Sequence, residues 1–364
     1  MVAVGRVGDQ MLTNESGETT SHLQGMFYRT VRMLEAGLQP VYVFDGKPPE
    51  LKKATLEGRK EKKDEAIDAL QAAKEAGDAE AIEKYSKRSV KVTREHNEEC
   101  MKLLRLMGVP VVEAPSEAEA QCSVMAKAGL VYGVATEDMD ALTFGSPRLL
   151  RHLMASSSQQ LNVAEFELSK ALEGANLTMD QFIDVCILCG CDYVNNIRGI
   201  GPVRAMQLIQ KHNNIEAVLE HLDSSKYPLP EPFPYKEARE AFKNPEVTPA
   251  DQLPVFKWNA PDVDGVVDFL VREKSFNEDR VRKAMKRVVD NRGKSGQSRM
   301  ESFFQVLPKP GPPPGKKVGS GLKRKEANGS AATKSGVAKK GHVLIQCGVF
   351  PTQIYNFFSV AVII

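Results

Sequence analysis

Residues 131–145 read VYGVATEDMDALTFG. An apolar run short enough for one buried strand ends directly in Glu137, Asp138 and Asp140. In extended chain, side chains two residues apart share a face, so Asp138 and Asp140 point the same way. A single acid at this place could cap a helix. Two on one face repel each other, and the spacing asks for something positive between them.

Two other apolar runs end the same way. PVYVF (40–44) leads into Asp45, and VPVVEAP (109–115) leads into Glu117 and Glu119. Helical patterns separate the runs, notably SEAEAQCSVMAKAG at 116–129, an alternation that predicts parallel βαβ units in an α/β fold. Open parallel sheets bind ligands beyond the carboxyl ends of their strands. Asp45, Glu117, Glu119, Asp138 and Asp140 are therefore expected to meet in one cleft. For Glu119 a rival reading is a capping box with Ser116, which would serve only the helix.

Composition narrows the class. The chain has 364 residues and a formal net charge of +2, but the charge is unevenly spread. Residues 305–340 hold nine Lys/Arg and one acid, 341–364 hold no Lys, Arg, Asp or Glu, and 1–304 hold 40 basic and 46 acidic residues. A mildly acidic body with a strongly basic tail fits a nuclear address, a polyanion contact or a solubilising tail. Six cysteines without paired spacing argue against a disulfide framework and for a reducing compartment. Cys186, Cys189 and Cys191 in CILCGCDY have no second CxxC or Cys/His pair to complete a zinc site. MVAVGRVGDQ lacks the charged start and apolar stretch of a signal peptide.

From Pro48-Pro49 to about Met107 the chain is rich in Lys, Glu, Ala and Arg, with a break at Ala76-Gly77-Asp78, which predicts a solvated hairpin of two long helices. Lys52 and Arg59 are seven residues apart, on one helix face just after Asp45. Residues 179–192 (MDQFIDVCILCGCD) predict an amphipathic helix ending at Asp192, followed by NNIRGIGPVRAMQLIQKH. There Gly199, Gly201 and Pro202 form a turn whose backbone N–H groups suit phosphate, with Arg198, Arg204 and Lys211 beside it. Residues 265–292 read as one further basic helical region, and 307–340 as disordered. Gln297, Met300, Phe303 and Phe304 in QSRMESFF fall on one face of a helical turn, an apolar patch suited to a protein partner.

VFDGKPP, APSEAEAQC, ATEDMDALTFG, GCDY, IRGIGPVRA and QSRMESFF, in this order, resemble the eukaryotic replicative flap endonucleases, and the similarity runs from about Leu12 to Lys340. The resemblance implies a central, mostly parallel sheet flanked by helices, a helical arch and a helix-two-turn-helix element. It implies two Mg²⁺ ions per active site, with Mn²⁺ able to substitute, held by Asp45, Glu117, Glu119, Asp138, Asp140 and Asp192. Catalysis would use Lys52, Arg59 and Asp140. DNA would lie against Lys52, Arg59, Glu117, Asp192, Arg198, Gly199, Gly201 and Arg204, with K⁺ at the glycine turn. Gln297, Met300, Phe303 and Phe304 would dock on the sliding clamp of replication, and the basic cluster at 316–325 resembles a nuclear signal.

The expected organisation follows. Residues 1–106 form a partial N-terminal nuclease region with the arch at 47–106, and 107–260 an internal nuclease region with the helix-two-turn-helix at 182–214. Residues 261–296 are basic helices, 297–304 the clamp peptide, and 305–364 a disordered basic tail with an atypical apolar end. The implied activity is structure-specific 5′ flap endonuclease and 5′–3′ exonuclease action by a monomer on branched duplex DNA in replication and base excision repair, without a membrane. The implied location is the nucleus, with nucleolus and mitochondrion as further candidates.

Two departures from the family pattern carry expectations of their own. The family's first strand, which bears a further metal-site aspartate in mid-sheet, has no counterpart here, so the neighbouring strands are expected to lose a partner. GHVLIQCGVFPTQIYNFFSVAVII replaces a Lys-rich continuation, and FFSVAVII has the composition of an aggregation-prone strand. A non-catalytic junction and clamp binder is the alternative function. A DxD phosphatase, with Asp138 as nucleophile, is disfavoured because Ala141 and Leu142 stand where Gly and a small hydroxyl residue belong.

Overall fold

Along β1 (Gln39–Phe44), Val41 and Val43 face one layer of helices while Tyr42 and Phe44 face the other. A strand buried on both sides must be apolar throughout, which is why PVYVF carries no polar alternation. This is the computed structural model of the chain; it describes residues 20–89, 92–153 and 161–292, and the backbone of a strand at 358–363.

The sheet has the order β2-β1-β6-β3-β4-β5, with β2 at Val111–Glu113, β3 at Gly133–Ala135, β4 at Arg148–Arg151, β5 at Ala164–Glu167 and β6 at Phe358–Ile363. β1 pairs parallel with β2 and β3 pairs parallel with β4, while β5 runs antiparallel to β4. The three apolar runs that end in acid are thus β1, β2 and β3, as the pattern predicts. The middle of the sheet differs from expectation. β6 pairs antiparallel with β1, from Gln39↔Ile363 to Phe44↔Phe358, and with β3, from Gly133↔Val362 to Ala135↔Val360. The sheet neighbours expected to lack a partner have one, and 358–363, within the apolar end whose composition suits a strand, is that partner.

One face is covered by α1 (Ser21–Glu35), α4 (Arg94–Leu106) and the C-terminal pair α12 (Val263–Val267) and α13 (Glu278–Asn291). The other is covered by α5 (Ala118–Lys127), the short α6 (Asp140–Thr143) and the start of α8 (Met179–Cys189). A second core joins the far side of α8 to α9 (Pro202–His212), α10 (Ile215–His221) and α11 (Tyr235–Lys243), and α7 (Leu168–Ala175) leads into it. Asp184, almost fully buried on α8, ties this unit together by accepting from Arg239 at 2.7 and 2.9 Å and from the Ile215 amide at 3.1 Å.

The insert after β1 contains three helices rather than two. α2 (Lys53–Ala76) stops at Gly77, whose φ of 69° suits glycine, and α3 (Ala79–Arg88) starts on the Asp78 cap. A second break precedes Thr93, which caps α4 reciprocally with His96. α2 buries only Ala66 and Ala73, so α2 and α3 are the solvated hairpin, while α4 sinks Cys100, Met101, Leu103 and Leu104 into the core. The basic region at 265–292 holds more than one helix, as its reading as basic helices expects: a π-helical turn at Asp268–Glu273 and Ser275 at φ 59° separate α12 from α13.

Candidate active site

The site is assembled by one close approach. Gly46 N donates to Ser116 O at 2.7 Å and Lys47 N to Pro115 O at 3.0 Å, drawing the end of β1 onto the loop after β2. A Cβ on Gly46 would collide with the Ala114 and Pro115 carbonyls, so this crossing requires glycine. It places Asp45 at the start of α5, where its Oδ1 accepts from Ala118 N at 2.8 Å. The helix is therefore served by Asp45 and not by the Ser116–Glu119 box that the spacing suggests. Ser116 Oγ is buried without a partner, and Glu119 turns inward to accept from Thr136 Oγ1 at 2.8 Å.

Thr136 ends β3 and does two things: its hydroxyl donates to Glu119 and accepts from Asp138 N at 3.1 Å. Asp138 Oδ1 then accepts from Asp140 N at 3.1 Å, which fixes the order of the two aspartates at the start of α6. Asp192 comes from the opposite side, just past the end of α8 at Gly190. Lys52 joins the two walls, with Nζ 2.6 Å from Glu117 Oε1 and 2.8 Å from Asp192 Oδ2. Arg59 Nη2 lies 2.5 Å from Asp192 Oδ1, Thr55 Oγ1 donates to the Asp192 carbonyl at 2.7 Å, and the Tyr193 hydroxyl donates to Glu117 Oε2. Lys52 and Arg59 thus hold the acid-bearing walls from the first turns of the insert.

The charges divide into two zones. Lys52 and Arg59 neutralise Glu117 and Asp192; burial opposes the Lys52 charge, but the two carboxylates outweigh it and hold the ammonium above its ordinary range. The described ion pairs do not extend to Asp138 or Asp140. Loss of hydration, reinforced by Asp138 and Asp140, pushes Glu119 well above the usual carboxylate range, and Asp140 is raised by the same loss and by Asp138 and Asp192. Asp138 is raised, first by desolvation. Asp45, although part of its surface reaches solvent, is lifted to about 6 by the protein packed around its carboxyl, against the opposing pull of the Ala118 amide and Lys52.

All six acids expected from the sequence line this cleft. Among the described residues, no three His, Cys, Asp or Glu side chains close on one point as a metal centre. The donor set is nevertheless one for a hard divalent cation: carboxylate oxygens only, crowded until they raise one another's affinity for positive charge. Thr136, Tyr193 and Thr55 were not expected in the site. Their only signal is position, since Tyr193 adjoins Asp192 in GCDY and Thr136 stands two residues before Asp138 in ATED.

The glycine turn stands on the same rigid unit. Tyr193, Val194, Ile197 and Ile200 pack into the second core, so Asp192 and the exposed residues Arg198, Gly199 and Gly201 are anchored by one packed segment. Gly199 has φ 86°, and its carbonyl already accepts from Arg204 Nη1, while the Arg204 guanidinium lies 5.2 Å from the centre of the Tyr227 ring. Pro202 opens α9 directly after the turn. Gln297, Met300, Phe303, Phe304 and the 316–325 cluster lie outside the described residues.

Residues 108–192 match the XPG I-region and residues 3–66 the XPG N-terminal domain. The chain is 67% identical over 310 residues to flap endonuclease 1 of Chlamydomonas reinhardtii, covering 85% of this chain and 78% of that protein. Among solved structures, flap endonuclease-1 from Methanococcus jannaschii shares 36% identity at a TM-score of 0.60, over 80% of this chain and 88% of that one. The catalytic core of Rad2 in complex with DNA substrate shares 26% identity at a TM-score of 0.59, over 76% and 87%. With a cleft of carboxylates at parallel strand ends, bridged by Lys52 and followed by a glycine turn, the chain belongs to the flap endonucleases, structure-specific nucleases that hydrolyse phosphodiester bonds.

Proposed function

We propose that this chain cuts 5′ flaps and trims 5′ ends of branched duplex DNA at the Asp45–Asp192 cleft, using two Mg²⁺ ions. The carrying observation is the meeting of Glu119, Asp138 and Asp140, each raised first by lost hydration, at the ends of neighbouring elements beside a mouth already neutralised by Lys52 and Arg59. Bound divalent ions would supply an activated water and charge neutralisation at the attacking and leaving oxygens. Asp45, Glu117, Glu119, Asp138, Asp140 and Asp192 would hold these ions.

The chain's own residues do the rest. Lys52 and Arg59 exchange their carboxylate partners for phosphate oxygens, which places positive charge where negative charge develops. Tyr193 and Thr136 keep Glu117 and Glu119 in fixed rotamers. Arg198, Arg204 and the Gly199–Gly201 backbone grip the duplex backbone without reading bases, with K⁺ at the turn. Docking on a sliding clamp through Gln297, Met300, Phe303 and Phe304, and a nuclear location through the 316–325 cluster, complete the proposal; they rest on sequence.

Incubating the purified chain with an end-labelled 5′ flap tests it. Product is expected only with Mg²⁺ and is lost in Asp140→Ala. Cleavage in excess chelator, cleavage by Asp140→Ala, or no product from the native chain would refute it.

A further inference from the structure

β6 is separated from the rest of the described chain by residues 293–357, yet it occupies the centre of the sheet. Its two neighbours carry the site: β1 leads into Asp45, and β3 into Thr136, Asp138 and Asp140. β1 and β3 make no direct ladder with each other, since β6 lies between them and pairs with both. Without it, their facing N–H and C=O groups would be unpaired in the interior, a state that proteins avoid.

The segment suits that seat. A central strand covered on both faces must be uncharged and apolar at successive positions, not alternating. FSVAVI is uncharged and, apart from Ser359, apolar throughout, and the 24 residues from Gly341 to Ile364 contain no Lys, Arg, Asp or Glu. Helices cover both faces of the sheet here, with α5 packed across β6 itself. The same composition left exposed would be an aggregation hazard; seated, its edges are paired on both sides.

We infer that Phe358–Ile363 is an intramolecular donor strand, and that the spacing of the Asp45 and Asp138/Asp140 walls depends on its seat between β1 and β3. The antiparallel register brings the chain into the sheet at Phe44↔Phe358, the end from which Asp45 and Thr136 project. An added or deleted segment at the C-terminus would therefore act on the cleft, although it is remote from it in sequence.

Register is the direct test, because a slip of one residue turns every side chain to the other face. Val41 stands opposite Ala361, and directly opposed antiparallel positions come within disulfide reach. In the full chain, Val41→Cys with Ala361→Cys should form an intrachain disulfide on mild oxidation, identified by mass spectrometry of unreduced peptides. Val41→Cys with Val360→Cys should form it at least about tenfold less, since Val360 is in register with Tyr42 and not with Val41. Equal yields, neither disulfide, or disulfides only between chains would overturn the inference. Val360→Pro removes a ladder donor from a middle strand and should raise amide exchange at Val41–Phe44 and Val134–Ala135 at least about tenfold. Unchanged exchange there would overturn it too. Neither readout uses DNA or metal, so they fail independently of the nuclease reading.

Discussion

Replacing Lys52 by methionine removes the charge that joins the two walls of the cleft while keeping a side chain of similar length. Lys52 is 18% exposed, and its partners Glu117 and Asp192 are 14% and 23% exposed, so the pairs are closer to buried than to surface pairs. Breaking a buried ion pair costs about 3–5 kcal/mol and an exposed one about 1 kcal/mol or less. Glu117 keeps its Tyr193 hydrogen bond and Asp192 keeps Arg59, which moves the expectation to about 2 kcal/mol between those limits. For a body of this size that corresponds to a fall of about 3–4 °C in Tm in chelator. Mg²⁺ should shrink this difference, because added cations take over neutralisation of the same carboxylates. With Lys52 acting on the scissile phosphate as proposed, its loss should lower kcat on a 5′ flap about 10²–10³-fold. Differential scanning fluorimetry and single-turnover cleavage measure the two effects. A Tm change below about 1 °C together with a rate within about twofold of the native chain would refute the bridging role.

Thr136→Val removes the donor to Glu119 and the acceptor for the Asp138 amide; stability should fall by about 1–3 kcal/mol, and flap cleavage should fall while DNA affinity, by fluorescence anisotropy, holds. Burial alone would raise Glu99, but hydrogen bonds from His22 and Lys274 hold its carboxyl down to about 2. Its contribution is therefore full above its ordinary value near 4.5 and lost as pH falls toward about 2. Glu99→Gln should lower Tm at pH 7, by about 2 kcal/mol of stability, with the difference shrinking below pH 4.5, as thermal melts across pH would show. Arg204→Ala frees the Gly199 carbonyl and the Tyr227 face; duplex affinity should weaken and the salt slope of binding fall by about 1, with the melting curve little changed.

The acid cleft was legible because its signal is local: a short, mostly apolar run followed by carboxylates reads as a strand end. PVYVF, VPVVEAP and VYGVAT each became the predicted strand, and the parallel rule brought their acids together. What stayed hidden depends on tertiary contact. The Ser116–Glu119 spacing fits a capping box, but the Gly46 crossing delivers Asp45 to α5 first and leaves Glu119 for Thr136. The break before Thr93 has neither Pro nor Gly to announce it, unlike the one at Gly77. The break after α12 is made by a widened helical turn and a serine at positive φ, and neither has a residue signature there. β6 shows the limit most plainly: FSVAVI reads as a strand, but no pattern within it names partners more than 200 residues away.

Titration of the metal-free chain with Mn²⁺, following the loss of free-ion signal by electron paramagnetic resonance, tests most directly whether the crowded carboxylates form a divalent-ion site. Saturation at two ions per chain is expected, with at least one lost in Asp140→Asn. No saturable binding, or a native stoichiometry and affinity in Asp140→Asn, would contradict it.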